Sequence, residues 1–256
     1  ADRNEAAASV TRASRIARRV VAALLALGAA AAHAEGGPPL FTDDPGTVEP
    51  GHWEINLAWT TARSAAARYD EAPLADINYG LDDTTQVKFE MPWAVESGRG
   101  TNGFGAAIAG VKWRFVDQGA HGWRVSTYPQ AAFAPSALHR AASAGSGVTW
   151  LLPLQVQRDF GAFDAGFDIG RTLAKAGDGW FGGVDVGRTL NDRIELLAEL
   201  HGESDDADGH ELVVNVGTRA TLSEHCTLLA SLGTDVDNTS GPRNRVVSYL
   251  GLQLSL

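Results

Sequence analysis

Charged side chains recur at alternate positions of otherwise apolar segments. Four cations lie in three consecutive segments: Lys88, Lys112, Arg114 and Arg124. Carboxylates accompany them or lie in other segments: Glu54, Asp76, Glu90, Asp164, Asp168, Glu195 and Glu199. A basic wall facing an acidic wall would make a transverse field that orients solutes, whereas lone charges in a narrow interior are costly and favour pairing. We expect mainly paired, structural charges with a residual narrow pathway for solutes.

No spacing in the chain predicts a catalytic centre. His201 and Ser204 are residue types of outer-membrane lipid hydrolases, but no orienting acid and oxyanion hole accompany them. Gly98, Gly100 and Gly103 match a dinucleotide-binding pattern by letters alone, without the βαβ unit that such a site needs. Zinc-type Cys/His spacing is absent from the sequence. The sequence predicts no catalytic residue, no cofactor and no metal site.

The clearest structural unit is the stretch from Ala75 to Val95. Apolar side chains alternate with polar ones on both sides of Asp82-Asp83. Successive side chains of a strand point to opposite faces, so this pattern predicts a hairpin with one apolar and one polar face. Charges in the middle of the polar face, with large aromatics near the strand ends of the other face, are typical of a strand between lipid and a wet lumen.

The rest of the chain repeats this unit and predicts about twelve antiparallel strands. The strands are expected at His52–Ala62, 75–81, 87–95, Gly105–Phe115, Trp123–Phe133, 148–157, 163–169, 180–186, 194–201, 212–219, Thr227–Thr234 and 249–256. Short connections alternate with longer ones rich in Gly, Ser, Asp or Ala, among them an acidic loop at Glu203–Asp208. Short turns on one rim and longer loops on the other are typical of outer-membrane barrels whose termini are periplasmic.

The N-terminal residues read as an export signal. Four arginines up to Arg19 precede an apolar run, Val20 to Ala32, and a small-x-small site ends at Ala34. This arrangement predicts a cleaved signal peptide, since the apolar run is too short to span a membrane as a helix. The mature chain is expected to begin at Glu35.

The mature composition limits the classes of function. Without residues 1–34, the chain has 16 basic and 29 acidic residues, a formal net charge of −13. Such an acidic chain is a poor candidate for binding nucleic acid. Cys226 is the only cysteine, so the chain forms no internal disulfide. An exported chain of this kind is either soluble in the periplasm or a β-barrel.

The segment Pro38 to Trp59, PPLFTDDPGTVEPGHWEINLAW, resembles the start of a family of outer-membrane transporters known as the "MetA-pathway of phenol degradation" type. The matching positions are Thr42, Asp43, Asp44, Pro45, Gly46, Glu49, Pro50, Gly51, Trp53 and Glu54. The resemblance implies a β-barrel after a signal peptide and a role in the uptake of aromatic or other hydrophobic compounds. The chain departs from the usual aromatic end of such barrels at Leu256.

The stretch from Thr42 to Gly46 carries two alternatives. It could fold into the lumen as a small plug, with Asp43 and Asp44 meeting some of the lumen cations and gating the pathway. It could equally be an Asx or Pro-Gly turn leading into the first strand, which is the more common use of these residue types.

Together these observations predict an all-β, transmembrane, antiparallel meander barrel of about twelve strands in the outer membrane of a Gram-negative bacterium. Residues 1–34 are the N-terminal extension and signal peptide, 35–51 the lead-in or plug, and 52–256 the barrel. The expected function is passive uptake of small, hydrophobic or aromatic solutes, with outer-membrane lipid, lipopolysaccharide and the barrel-assembly machinery as partners and no nucleic acid. A lipid-modifying hydrolase and a structural barrel whose loops bind a partner are the alternatives.

Overall fold

The computed structural model describes residues 37–97, 101–119, 122–133, 147–175, 177–205 and 209–256. The strands in this part of the chain are β1 Trp53–Ser64, β2 Arg68–Asp82, β3 Thr85–Glu96, β4 Thr101–Phe104, β5 Ala107–Asp117, β6 Trp123–Thr127, β7 Gln130–Phe133, β8 Val148–Asp159, β9 Phe163–Leu173, β10 Gly179–Asn191, β11 Ile194–Asp205, β12 His210–Ser223, β13 Cys226–Asn238 and β14 Asn244–Ser255. None of the described residues belongs to a helix long and apolar enough to cross a membrane. The expected signal peptide and its cleavage site lie outside the described residues.

The described segments combine into twelve spanning strands, because two of the strands are interrupted once. β4 and β5 both pair with β3 and follow each other along it. β6 and β7 share β8 in the same way. Neighbouring strands are antiparallel throughout, and β1 pairs with β14 to close the sheet. The predicted closed antiparallel meander of twelve strands is confirmed.

The two faces of the barrel wall differ as the alternation predicted. In β8, Trp150, Leu152 and Leu154 are 50%, 43% and 42% exposed, whereas Gln155 and Gln157 are each only 1% exposed. The apolar side chains therefore cover the outside, and the polar ones fill the inside. A soluble barrel has the opposite arrangement, with polar side chains outside and apolar ones inside. The arrangement here is that of a wall between hydrocarbon and a polar lumen.

The two rims of the barrel differ in their connections. On one rim, here the short-turn rim, the connections are residues 83–84, 118–122, 160–162, 192–193 and 224–225. On the other, here the long-loop rim, they are residues 65–67, 97–100, 134–147, 174–178, 206–209 and 239–243. Both ends of the barrel sheet lie at the short-turn rim, where the amide of Trp53 donates to the carbonyl of Leu256 at 2.8 Å. The usual asymmetry of such barrels predicts that this rim faces the periplasm.

Several strands reach further at the long-loop rim than the sequence predicted. β2 begins at Arg68 instead of Ala75, and only three residues separate it from β1. β11 runs to Asp205, which pairs with Gly179, so the prediction of a loop beginning at Glu203 was wrong. These extensions lack the apolar alternation because they continue the ladder beyond the hydrocarbon region, where backbone pairing needs no apolar face. Residues 206–208 lie outside the described chain.

A charge placed on the outer face should destabilise the barrel according to its depth. Leu154 lies midway between Trp150, towards the long-loop rim, and Arg158, next to the short-turn rim. We expect Leu154→Lys to lower the free energy of unfolding by about 2–4 kcal/mol, and Val148→Lys, at the end of the same strand, by at most about 1 kcal/mol. Urea titrations in lipid vesicles, read from the mobility difference of unheated and boiled samples, measure both. Equal losses at the two sites would contradict this membrane placement.

Candidate functional site: the lumen and the inner segment

Residues 37–50, here called the inner segment, lie within the barrel rather than beside it. Thr42 and Asp44 are 1% and 6% exposed, and Pro45 is among the fully buried residues. The segment hydrogen-bonds with inward-facing side chains of seven strands: Gln86, Lys112, Gln155, Asp168, Glu199, Arg219 and Ser231. The inner segment therefore crosses the lumen and narrows it.

Two carboxylates of the predicted acidic set hold the backbone of the inner segment. Glu199 accepts hydrogen bonds from the amides of Phe41, at 3.0 Å, and Thr42, at 2.8 Å. Asp168 accepts one from the amide of Asp43 at 3.3 Å. Hydrogen bonds to an ionised acceptor are stronger than neutral ones. The donors to these two carboxylates are thus neutral backbone amides of the segment and not cationic side chains.

Asp43 connects the inner segment to the basic side of the lumen. Its carboxylate lies 3.1 Å from Nζ of Lys112 and accepts a hydrogen bond from Nε2 of Gln155 at 2.8 Å. Lys112 also donates to the carbonyl oxygen of Asp44 at 2.6 Å and lies over the ring of Tyr128. Burial acts against the charge of Asp43, but the attraction of the lysines outweighs it, so the pKa of Asp43 lies below its ordinary value.

The start of the inner segment is held by an ion pair on neighbouring strands. Arg219 donates to the carbonyl oxygens of Pro38 and Gly37, each at 3.1 Å, and lies 3.2 Å from Glu195. Each of these carbonyls belongs to the peptide bond before a proline, whose nitrogen carries no N–H. The guanidinium fork satisfies a carboxylate and two such carbonyls at the same time.

Two inward-facing glycines provide the room that the inner segment occupies. A Cβ at Gly183 would collide with the hydroxyl of Thr42, and one at Gly80 would collide with the carbonyl oxygens of Val48 and Glu49. Any larger residue at these positions would push the segment away from β10 or β2. The close fit shows that this part of the wall is shaped for the segment.

The other predicted cations each lie near a carboxylate, but not all in the same place. Lys88 is 3.3 Å from Asp76 and 3.0 Å from Glu90, in a cluster within the lumen. Arg124 is 2.8 Å from Asp159, close to the short-turn rim.

Arg114 also lies near the short-turn rim, 3.3 Å from Asp117. It donates in addition to the carbonyl oxygen of Asp83 in the turn between β2 and β3. The four cations therefore do not form one continuous basic wall: Lys88 and Lys112 line the lumen, whereas Arg114 and Arg124 lie where it opens.

The remaining predicted carboxylates lie among amide side chains. Glu54 accepts from Asn56 at 3.2 Å, and Asp164 accepts from Gln157 at 2.9 Å. The carboxylate of Asp44 accepts from the amide of Gly46 and so forms the tight turn of the inner segment. Neither Asp44 nor Asp164 has an ion pair among the described residues.

The hydrolase alternative meets a geometric obstacle. His201 lies inside the lumen, 3.6 Å from Glu203 and next to the ring of Phe41. Ser204 pairs with Trp180, an outward residue that is 54% exposed. Alternate residues of a strand face opposite ways, so His201 and Ser204 are on opposite sides of the wall. They cannot act as base and nucleophile of one centre.

Sequence reasoning left out several residues that shape the site. Gln155, Arg219 and Ser231 hold the inner segment, and Asp185 is a further buried lumen carboxylate, 5% exposed. The alternation that places the predicted residues inside applies equally to these. The sequence pattern shows which side chains face inwards, but not which of them reach the segment.

Comparisons with known proteins agree on the fold. No family model and no curated protein matches the chain. The COG4313 outer membrane channel from Pseudomonas putida F1 is 11% identical with a TM-score of 0.66, and the match covers 85% of this chain and all of that one. The KdgM porin is 11% identical with a TM-score of 0.57, covering 79% of this chain and 99% of that chain. The NanC porin is 9% identical with a TM-score of 0.56, covering 79% and 98%.

The fold and the apolar outer surface together indicate the membrane in which the protein resides. A closed β-sheet satisfies all of its backbone groups internally and, with an apolar outer face, is the strand-built solution for crossing a bilayer. The three solved barrels named above are two porins and an outer membrane channel. This chain is an outer-membrane β-barrel of a Gram-negative bacterium, as predicted. The resemblance to the phenol-degradation type stays a prediction.

The placement of the inner segment can be tested by chemical accessibility. In a Cys226→Ser background, a cysteine replacing Thr42 should react slowly with a water-soluble maleimide, because that position is buried between the segment and β10. Adding Glu199→Ala should raise the labelling rate about tenfold or more, since two amides lose their charged acceptor. Glu49→Ala, an exposed change in the same segment, is the matched control. Rapid labelling without Glu199→Ala would contradict the buried placement.

Proposed function

We propose that this protein is a channel for the passive uptake of small, hydrophobic or aromatic solutes, and that the inner segment gates it. The observation that carries the proposal is a polar lumen crossed by a segment that hydrogen bonds and an ion pair hold to the wall. The solved barrels of similar shape include porins and a channel, which supports passage rather than catalysis. Lipopolysaccharide around the barrel and assembly by the barrel-assembly machinery belong to the same proposal.

The charge of the lumen bears on the class of solute. Carboxylates outnumber cations among the inward-facing residues described above, so the pathway opposes polyanions. The KdgM porin has been solved in complex with oligogalacturonate, an acidic saccharide. A strongly acidic lumen makes a similar ligand unfavourable here and supports neutral or weakly charged solutes.

Phe41 provides an apolar contact within this polar lumen. Its ring is 50% exposed although its amide is held by Glu199, and it lies 5.6 Å from the ring of His201. An exposed aromatic ring offers stacking and apolar area to an aromatic solute. This position supports the aromatic class that the resemblance at Pro38 to Trp59 implies.

Loss of the two aspartates should widen the pathway. The double variant Asp43→Ala and Asp44→Ala removes the link to Lys112 and the tight turn at Gly46, so the segment should leave the lumen more often. We expect a severalfold increase of mean single-channel conductance in planar bilayers for the refolded mature chain. Glu49→Ala serves as the control and should behave like the unaltered protein.

The outcomes of this experiment separate the functions. Unchanged conductance in the double variant would refute gating by Asp43 and Asp44. Silent bilayers from protein that shows the mobility shift of a folded barrel would refute the channel itself. Mass analysis of outer-membrane lipid would then test the hydrolase alternative.

Aromatic selectivity has its own test. We expect benzoate to produce brief blockades of the open channel that acetate at the same concentration and pH does not produce. Phe41→Ala should shorten these blockades severalfold, because the stacking surface is lost, while the conductance in salt alone remains that of the unaltered protein. Equal effects of benzoate and acetate would refute the aromatic class and leave a general diffusion channel.

A further inference from the structure

Arg158 occupies an unusual position on the outer face of the barrel. It lies in β8 directly opposite Trp123 of β6, and both are next to the short-turn rim. Its guanidinium lies over two aromatic rings, 5.1 Å from the centroid of Trp123 and 5.3 Å from that of Phe160. Such contacts fix the orientation of the guanidinium plane and are favourable for a cation at a membrane interface.

The charge of Arg158 has no anionic partner in the described part of the chain. Its Nε is buried and makes no hydrogen bond there, and no carboxylate lies within ion-pair distance. The neighbouring Asp159 is already paired with Arg124 on the other side of the wall. A guanidinium that is fixed by two rings and has no hydrogen-bond acceptor in the protein is suited to bind an external anion.

Arginines at the opposite rim show the contrast. Arg171 lies over Trp180 at 5.0 Å but has Asp178 at 3.6 Å. Arg68 lies over Trp59 and has Asp70 at 2.8 Å. Arg171 and Arg68 are therefore each paired with a carboxylate of the protein, whereas Arg158 has no such carboxylate among the described residues.

We propose that Arg158, Trp123 and Phe160 form a binding site for the phosphodiester group of a phospholipid in the periplasmic leaflet. The short-turn rim lies at the level of that leaflet. A guanidinium presents parallel N–H donors that match two phosphate oxygens. The two rings are 45% and 57% exposed and continue into the lipid-facing surface. They provide contact for the glycerol and acyl chains, which a free phosphate ion cannot use.

Native mass spectrometry of the folded barrel in detergent tests this site. The probes are dioleoyl phosphatidylglycerol and a phosphate-free lipid with the same chains, monogalactosyl dioleoylglycerol. The unaltered protein should bind the first phosphatidylglycerol molecule about tenfold more tightly than the galactolipid, as expected for charge-assisted hydrogen bonds. Arg158→Gln should abolish the difference. Arg171→Gln, which removes the arginine that has its own carboxylate, should leave it intact.

A conservative variant and a folding check complete this experiment. Arg158→Lys retains the charge without the planar fork and should retain only part of the preference, and unheated gel mobility shows whether each variant is folded. Equal binding of the two lipids by the unaltered protein, or an unchanged preference in Arg158→Gln, would overturn the site. Complete displacement of the lipid by inorganic phosphate would overturn the assignment to a phospholipid.

Discussion

Closure of the sheet is the constraint on which the rest of the structure depends. In hydrocarbon no water satisfies an unpaired amide or carbonyl, so the ladder must return on itself. Here that happens between β1 and β14, with Glu54 opposite Ser255 and Thr61 opposite Ser248. Once the wall is closed and pleated, each strand has to present one face to lipid and one to the interior. The polar lumen is thus a consequence of the same geometry that makes the outside apolar.

A polar interior of this kind creates a need for donors. Buried carboxylates are costly unless they are hydrogen-bonded, and among the described inward-facing residues carboxylates outnumber cations. The inner segment meets part of this need with its backbone, since Glu199 takes the amides of Phe41 and Thr42. The segment and the acidic side of the lumen thus stabilise each other through hydrogen bonds.

The pattern-based part of the architecture could be predicted from the sequence. A period of two over Ala75 to Val95 fixes which residues face lipid, and the short turns fix the order of the strands. The extensions of β2 to Arg68 and of β11 to Asp205 could not, because strands in water lose the apolar alternation. The contacts within the lumen could not be predicted either. Asp43 contacts Lys112 rather than Lys88, and this choice depends on the register and tilt of strands far apart in the chain.

The way the inner segment is held differs from the way the wall is held, and this difference matters for passage. Its hydrogen bonds to Glu199, Lys112 and Arg219 can be replaced by bonds to water once the segment moves. Each of these bonds involves a charged group, so its net contribution is only about 1.5–3 kcal/mol. The ladder between β1 and β14 has no such substitute in lipid. We therefore expect the wall to stay intact when the segment leaves. Water can replace the hydrogen bonds of the segment, whereas lipid cannot replace those of the wall.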